Sequence, residues 1–118
     1  MFRLLLILCL AVSVCAATVP LGDSARGAEV FRNQKCIVCH SVNGQGGKSA
    51  PDLGRTVGRG YTPATMAALM WNHAPKMWES MERASLKPPQ LTTQQAADLY
   101  AYFYSARFFE KKGDANLG

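Results

Sequence analysis

Apolar residues recur along most of this chain at helical spacing, and nowhere in the strict alternation of a strand of any length. Ala28, Val30 and Phe31 mark a first helix over residues 24–34, with Asp23 placed to cap it. Met66, Leu69 and Met70 follow Thr62-Pro63, a helix start with proline at its first position, and predict a second helix to about residue 73. Pro75 then predicts a break, with a short separate helical piece over residues 77–83. Lys87-Pro88-Pro89 reads as extended chain. Thr92 or Thr93 caps a last helix over residues 93–109, in which Ala96, Leu99, Tyr102, Phe103 and Ala106 share one face. Residues 36–59 hold five glycines and one proline, the composition of a loop wrapped around something. The pattern predicts an all-α fold of about three to four helices with long functional loops.

The amino terminus follows a different pattern. Residues 4–14 are an apolar run interrupted only by Cys9 and Ser13, preceded by Arg3 and followed by Cys15, Ala16 and Ala17. A bilayer span needs roughly 20 residues, so the run is too short to cross one. It reads as a secretory signal peptide over residues 1–17, cut near Ala16 or Ala17. Lipid attachment at Cys15 would want a small residue just before it, and Val14 stands there. An uncleaved amino-terminal anchor is the other alternative. The expected product is exported, to the periplasm or an equivalent compartment, with one domain over residues 18–118, a core over about 22–109 and a short polar tail.

Composition changes this picture little. A chain of 118 residues suits one domain, and 48% hydrophobic against 18% charged residues excludes wholesale disorder. Thirteen Lys and Arg against eight Asp and Glu give +5, and removing Arg3 with the signal segment leaves +4. That balance is too weak to call for nucleic acid by itself. Cleavage also reduces four cysteines to two, Cys36 and Cys39. A disulfide between them would close a tiny loop and stabilise little, so their purpose lies elsewhere. Gly22-Asp23 to Gly27 and Gly113-Asp114 to Gly118 share a Gly-Asp-x-x-x-Gly frame, either chance among ten glycines or the trace of a tandem array.

The chemistry concentrates in Cys36-Ile37-Val38-Cys39-His40, a C-x-x-C-H motif directly after the first helix. This is the attachment signature of c-type haem: two thiols one turn apart can add to two vinyl groups, and the next residue can ligate the iron from below. A thioredoxin-like pair needs a strand–turn–helix context that the helical pattern does not supply. A zinc site needs four closed ligands, and only His73 could join Cys36 and Cys39, His40 being awkward beside Cys39. A disulfide leaves His40 unexplained.

At these residues the chain resembles the small class I mono-haem cytochromes c, over about residues 22–109. Gly27 and Phe31 on the first helix, and Leu99 and Tyr102 on the last, match positions where the two terminal helices of that family cross. Pro51-Asp52-Leu53 resembles its Pro-x-Leu loop, which implies that the Pro51 carbonyl accepts the second N–H of the proximal His40 and that Pro51 and Leu53 line the haem site. The resemblance further implies a methionine as distal ligand between the second and last helices. His73, Met77 and Met81 lie four apart and would share one face of a continuous helix. Met81 is favoured as the candidate nearest the connection into the last helix, with Met77 and then His73 as alternatives. Met66 and Met70 read as core filler. Trp71, Asn72 and His73 are candidate donors to a haem propionate. The family's ligand loop is usually more compact than residues 81–91, so a methionine in a helical setting departs from its pattern.

Other chemistry is not indicated. Gly47-Lys48-Ser49 resembles the end of a phosphate-binding loop, but Val42 occupies the place of the first glycine and no strand precedes it. No catalytic triad or carboxylate pair stands out, and no enzyme activity is expected. Lys35, Lys48, Arg55, Arg59 and Lys87 belong to segments expected to rim the haem, either as plain solvated surface or as a face that steers an acidic redox partner. The sequence therefore reads as a soluble, exported electron carrier with one covalent haem c and iron ligands His40 and Met81. Its partners are electron donor and acceptor proteins, with no nucleic acid and no stable membrane insertion. The alternatives are a haem subunit of a larger dehydrogenase or oxidase, and a haem-based gas or redox sensor.

Overall fold

The computed structural model describes residues 18, 20–55 and 60–109. Three helices carry the fold: α1 over Ser24–Asn33, α2 over Pro63–Arg83 and α3 over Thr93–Phe108. Each begins where a side chain satisfies a backbone N–H that the helix leaves unpaired. The Asp23 carboxylate accepts from the Arg26 N–H at 2.8 Å. The Thr62 hydroxyl accepts from the Thr65 N–H at 3.1 Å, with Pro63 as the first helical residue. At α3, Thr92 and Gln95 satisfy each other's backbone in a capping box, at 3.1 and 2.9 Å.

The core forms where α1 crosses α3. Gly27 lies at the crossing, where a β-carbon would overlap the Asp98 carbonyl and come within 2.6 Å of the Tyr102 β-carbon. That close approach lets Phe31, 1% exposed, meet Phe103 edge-on and Tyr102 at a tilt, both at 5.8 Å between ring centres. Val30, Val42, Met66, Leu99 and Ala106 complete the buried cluster. Met70, half-buried, packs against it. Arg26 ties the same pair of helices with two bonds to Asp98, Nη2 to Oδ1 at 2.8 Å and Nε to Oδ2 at 3.0 Å. The buried Asp98 also accepts from the Asp23 N–H at 2.8 Å and the Gln94 amide at 2.9 Å. The hydrogen bond from Arg26, opposed by burial and helped by the other donors, holds its carboxyl down at about 2.

Two features depart from the sequence reading. α2 does not break at Pro75 but runs unbroken to Arg83, so there is no separate piece over residues 77–83. Pro75 has no N–H to give the carbonyl four residues back, that of Trp71, and both residues are exposed, so water can serve that carbonyl. The second departure is a strand pair where none was expected. β1 (Ser41–Val42) and β2 (Gln45–Gly46) pair antiparallel, Ser41 opposite Gly46 and Val42 opposite Gln45. Asn43 and Gly44, at φ 50° and 84°, form the two-residue turn that an Asn-Gly pair favours. The pair is too short to show an alternating pattern.

Candidate functional site

The site is built outward from the end of α1. Lys35 takes a left-handed conformation at φ 64° and turns the chain into a 3₁₀ turn over Cys36–Val38. The Cys36 carbonyl accepts from the N–H groups of Cys39 and His40, at 3.2 and 2.9 Å, which sets the two cysteines one turn apart. Both are free thiols and half-buried. Burial pushes the Cys36 thiol up, away from the lowered range of an activated thiolate. The glycine loop lies directly on this turn. The Gly47 N–H reaches the carbonyls of Ile37 at 2.8 Å and His40 at 3.0 Å, and a β-carbon on Gly47 would overlap the Val38 carbonyl.

His40 is held from one side. Its Nδ1 lies 2.8 Å from the Pro51 carbonyl, the contact that the Pro-x-Leu resemblance implies. A carbonyl only accepts, so Nδ1 carries a proton, and in the neutral imidazole it is Nε2 that keeps the lone pair. The flanking backbone fixes the geometry: the Ala50 N–H donates to the Cys39 carbonyl at 3.0 Å and the Leu53 N–H to the Ser41 carbonyl at 2.8 Å. Between them, the Asp52 carboxylate accepts from the N–H groups of Asn43, Gly44 and Gly54 at 3.0, 2.7 and 2.8 Å. Burial alone would raise its carboxyl, but these donors and the Ser41 hydroxyl outweigh that and hold it below the usual carboxylate range.

The donor set fits a covalently held haem. Two thiols one turn apart, followed at once by an imidazole whose second nitrogen can serve as an iron donor, are what that group requires. A closed zinc site does not fit. Among the described residues no three His, Cys, Asp or Glu side chains converge, and His73 stands exposed midway along α2.

The three residues expected as distal-ligand candidates, His73, Met77 and Met81, follow one another at intervals of four along the unbroken α2. Met77 lines an apolar groove of about 1000 Å³ between α2, α3 and the segment Pro20–Gly22, together with Met66, Met70, Trp71, Trp78 and Tyr100. Neither thiol nor His40 lines that groove, and Met81 does not either. Met81 sits in the last turn of α2. Its carbonyl accepts the Leu86 N–H at 2.8 Å, while that of Glu82 accepts the Ser85 N–H at 2.9 Å, closing the helix with Ser85 left-handed at φ 56°. Trp71 and Asn72 are exposed.

With this geometry in view, comparison with known proteins is decisive. The family model for cytochrome c matches residues 24–106. A cytochrome c of Chlamydomonas reinhardtii is 34% identical over 111 aligned residues, covering 76% of this chain and 95% of that protein. The chain belongs to the cytochrome c family. A cytochrome c of Ulva intestinalis is 39% identical over 61 residues, 51% of this chain and 52% of that protein. No solved structure matches at a significant level. As a cytochrome c the chain is a haem-based electron carrier, and its cofactor is covalent haem c with iron.

The structure also reveals residues that the sequence reading passed over. Arg107, buried in the last turn of α3, donates through Nε to the Leu53 carbonyl at 3.0 Å and lies 3.7 Å from the centre of the Tyr61 ring. Asn43 donates its side-chain amide to the Ala106 carbonyl at 3.0 Å. Tyr61 stacks on Tyr100 at 5.3 Å. Of these, only the Asn-Gly turn carried a local signal. Among the basic residues, Lys35, Lys48, Arg55 and Lys87 are exposed, and Arg55 lies 3.8 Å from Asp52. Arg59, Lys111, Lys112, the expected signal peptide over residues 1–17 and the second Gly-Asp frame at 113–118 fall outside the described residues.

Proposed function

We propose that this cytochrome is an exported single-electron carrier whose haem is bonded to Cys36 and Cys39 and whose iron is held between His40 and Met81. The observation that carries the reading is the His40–Pro51 hydrogen bond beside two free thiols one turn apart. In attachment each thiol adds across one vinyl group, sulfur to one carbon and hydrogen to the other, so no oxidant is consumed. When bound, the haem supplies an iron that takes up and releases one electron. His40 keeps its Nδ1 proton on the Pro51 carbonyl throughout, leaving Nε2 as a ligand of fixed orientation in both oxidation states. Pro51 serves through that carbonyl, and Leu53, packed against the core, adds an apolar wall that keeps water back. Met81 is favoured over Met77 as the candidate nearest the connection into α3, with its backbone fixed by the closing turn of α2, whereas Met77 lines a groove that neither thiol nor His40 reaches.

The ligand set is tested by the ferric spectrum. Met81→Ala should abolish the sulfur-to-iron charge-transfer band and Met77→Ala should only perturb it; the reverse result transfers the assignment to Met77. Replacing Cys36 and Cys39 together by Ala should make the haem extractable into acidified organic solvent. Intact mass tests export, with a mature chain beginning near Thr18 expected. Among the described residues no helix is long and apolar enough to cross a membrane. One observation favours a second reading, a subunit of a larger redox complex: Trp71 is 81% exposed at the rim of the apolar groove. Purification of the holoprotein as a lone monomer would count against it.

A further inference from the structure

We propose that Arg107 is a positioning residue for His40: from the last turn of α3 it holds the Leu53 carbonyl, and through that loop it fixes the plane of the imidazole and tunes the reduction potential. The inference rests on His40 as iron ligand. It begins with a charge in an unexpected place. Arg107 is 7% exposed, and among the described residues no carboxylate pairs with it. Its compensation is the Leu53 carbonyl, the face of Tyr61 and the carboxy-terminal end of its own helix. A buried cation so placed is a poor device for stability alone, since an apolar side chain of similar size commonly packs as well or better.

What the arginine does gain is a grip on the proximal loop. Leu53 is two residues from Pro51, whose carbonyl holds His40, and the Leu53 N–H is bonded to Ser41, the residue after His40. The ring that runs from His40 through Ser41, Leu53 and Pro51 is closed by those two bonds, and Arg107 anchors it to α3 at the Leu53 carbonyl. A second tie runs in parallel from the neighbouring residue, where the Ala106 carbonyl accepts the Asn43 amide. Asn43 in turn donates its N–H to Asp52, between Pro51 and Leu53. Two consecutive residues of α3 thus pin both arms of the loop. With iron bound at Nε2, a turn of the imidazole would strain its hydrogen bond to the Pro51 carbonyl, and Arg107 would oppose the loop movement that relieves it. Its charge also favours uptake of an electron nearby.

The test uses intact holoprotein with Arg107→Lys, Arg107→Gln and Asn43→Ala. Asn43 is exposed and uncharged, and because it stands left-handed at φ 50° the backbone cost of alanine there is read by the urea midpoint, separately from the haem signals. Three quantities are read: the spread of the four haem methyl resonances in the ferric NMR spectrum, which reports the histidine plane, the reduction potential, and the urea midpoint. All three variants should change the methyl spread in the same sense. Arg107→Gln should lower the potential, Arg107→Lys should lower it less, and Asn43→Ala should shift it least. Lost stability with a wild-type methyl pattern and potential in Asn43→Ala and Arg107→Lys would make Arg107 a scaffold residue and overturn the proposal alone. A wild-type spectrum without low-spin, histidine-ligated haem would overturn the ligand assignment, and the proposal with it.

Discussion

At the scale of single residues, three positions carry stability consequences that can be measured. Gly27 leaves no room for a methyl group between α1 and α3, because what it meets is backbone and a β-carbon, neither of which can swing aside. Gly27→Ala should therefore destabilise by about 2 kcal/mol in urea unfolding, overpacking outweighing the better helix propensity of alanine. Ser85 is the opposite case, a residue with a β-carbon in a left-handed position that glycine fills at no steric cost. Ser85→Gly should stabilise by about 0.5–1 kcal/mol, since the relieved strain exceeds the added freedom of the unfolded chain. Asp98 gives a pH dependence with a definite sign. Its carboxyl titrates at about 2 when folded against an ordinary value of 3.8, so its contribution is fully present above pH 4 and is lost as pH falls through about 2. With Arg26 half in water, that contribution is about 1–2 kcal/mol. Asp98→Asn should lower the unfolding free energy at neutral pH and flatten the acid limb of the stability curve; an unchanged acid limb would place the titration elsewhere.

At the scale of elements, the sequence was most legible where a local signal and a tertiary demand agree. α1 and α3 have a capping side chain at the start and an apolar face throughout, and both stand within a residue of the expected ends. The C-x-x-C-H turn was legible for the same reason, because its chemistry is compressed into five adjacent residues. α2 was misread because a proline inside a helix is a statistical boundary, and only the exposure of Trp71 and Pro75 decides that it is tolerated here. Pro75→Ala should thus restore one hydrogen bond to the Trp71 carbonyl and raise the unfolding free energy by about 1–2 kcal/mol. A fall in stability instead would mean that the proline sets a bend the fold requires. Arg107 and Asp52 were not legible at all. Their roles depend on partners reached across 54 residues in one case and 9 in the other, and in sequence each is simply a charge expected in water.

At the scale of the whole molecule, the remaining question is how the charge distribution serves exchange with partner proteins. The net charge of +4 expected after export is reduced to about +2 by two ionised haem propionates, so the monopole itself is small. Local placement matters more. Lys35 directly precedes the thiol turn, and Lys48 follows Gly47, whose N–H is bonded to that turn at two carbonyls. Lys87 follows Leu86, the residue that closes the helix of Met81. All three are exposed, and none is ion-paired among the described residues, whereas Arg55 is partly offset by Asp52. Exposed charges of this kind act on encounter, where complementary charge accelerates docking until salt screens it over about 8–10 Å. The association rate with an acidic-faced partner should therefore fall steadily as ionic strength rises, with no change in the haem spectrum. Lys48→Glu or Lys87→Glu should slow exchange several-fold at low salt, and more than Lys111→Glu or Lys112→Glu, and the difference should vanish at about 1 M salt. Stopped-flow measurement across ionic strengths separates the cases. A rate that ignores salt, or an equal effect of reversal at both pairs, would reduce Lys35, Lys48 and Lys87 to residues of solubility.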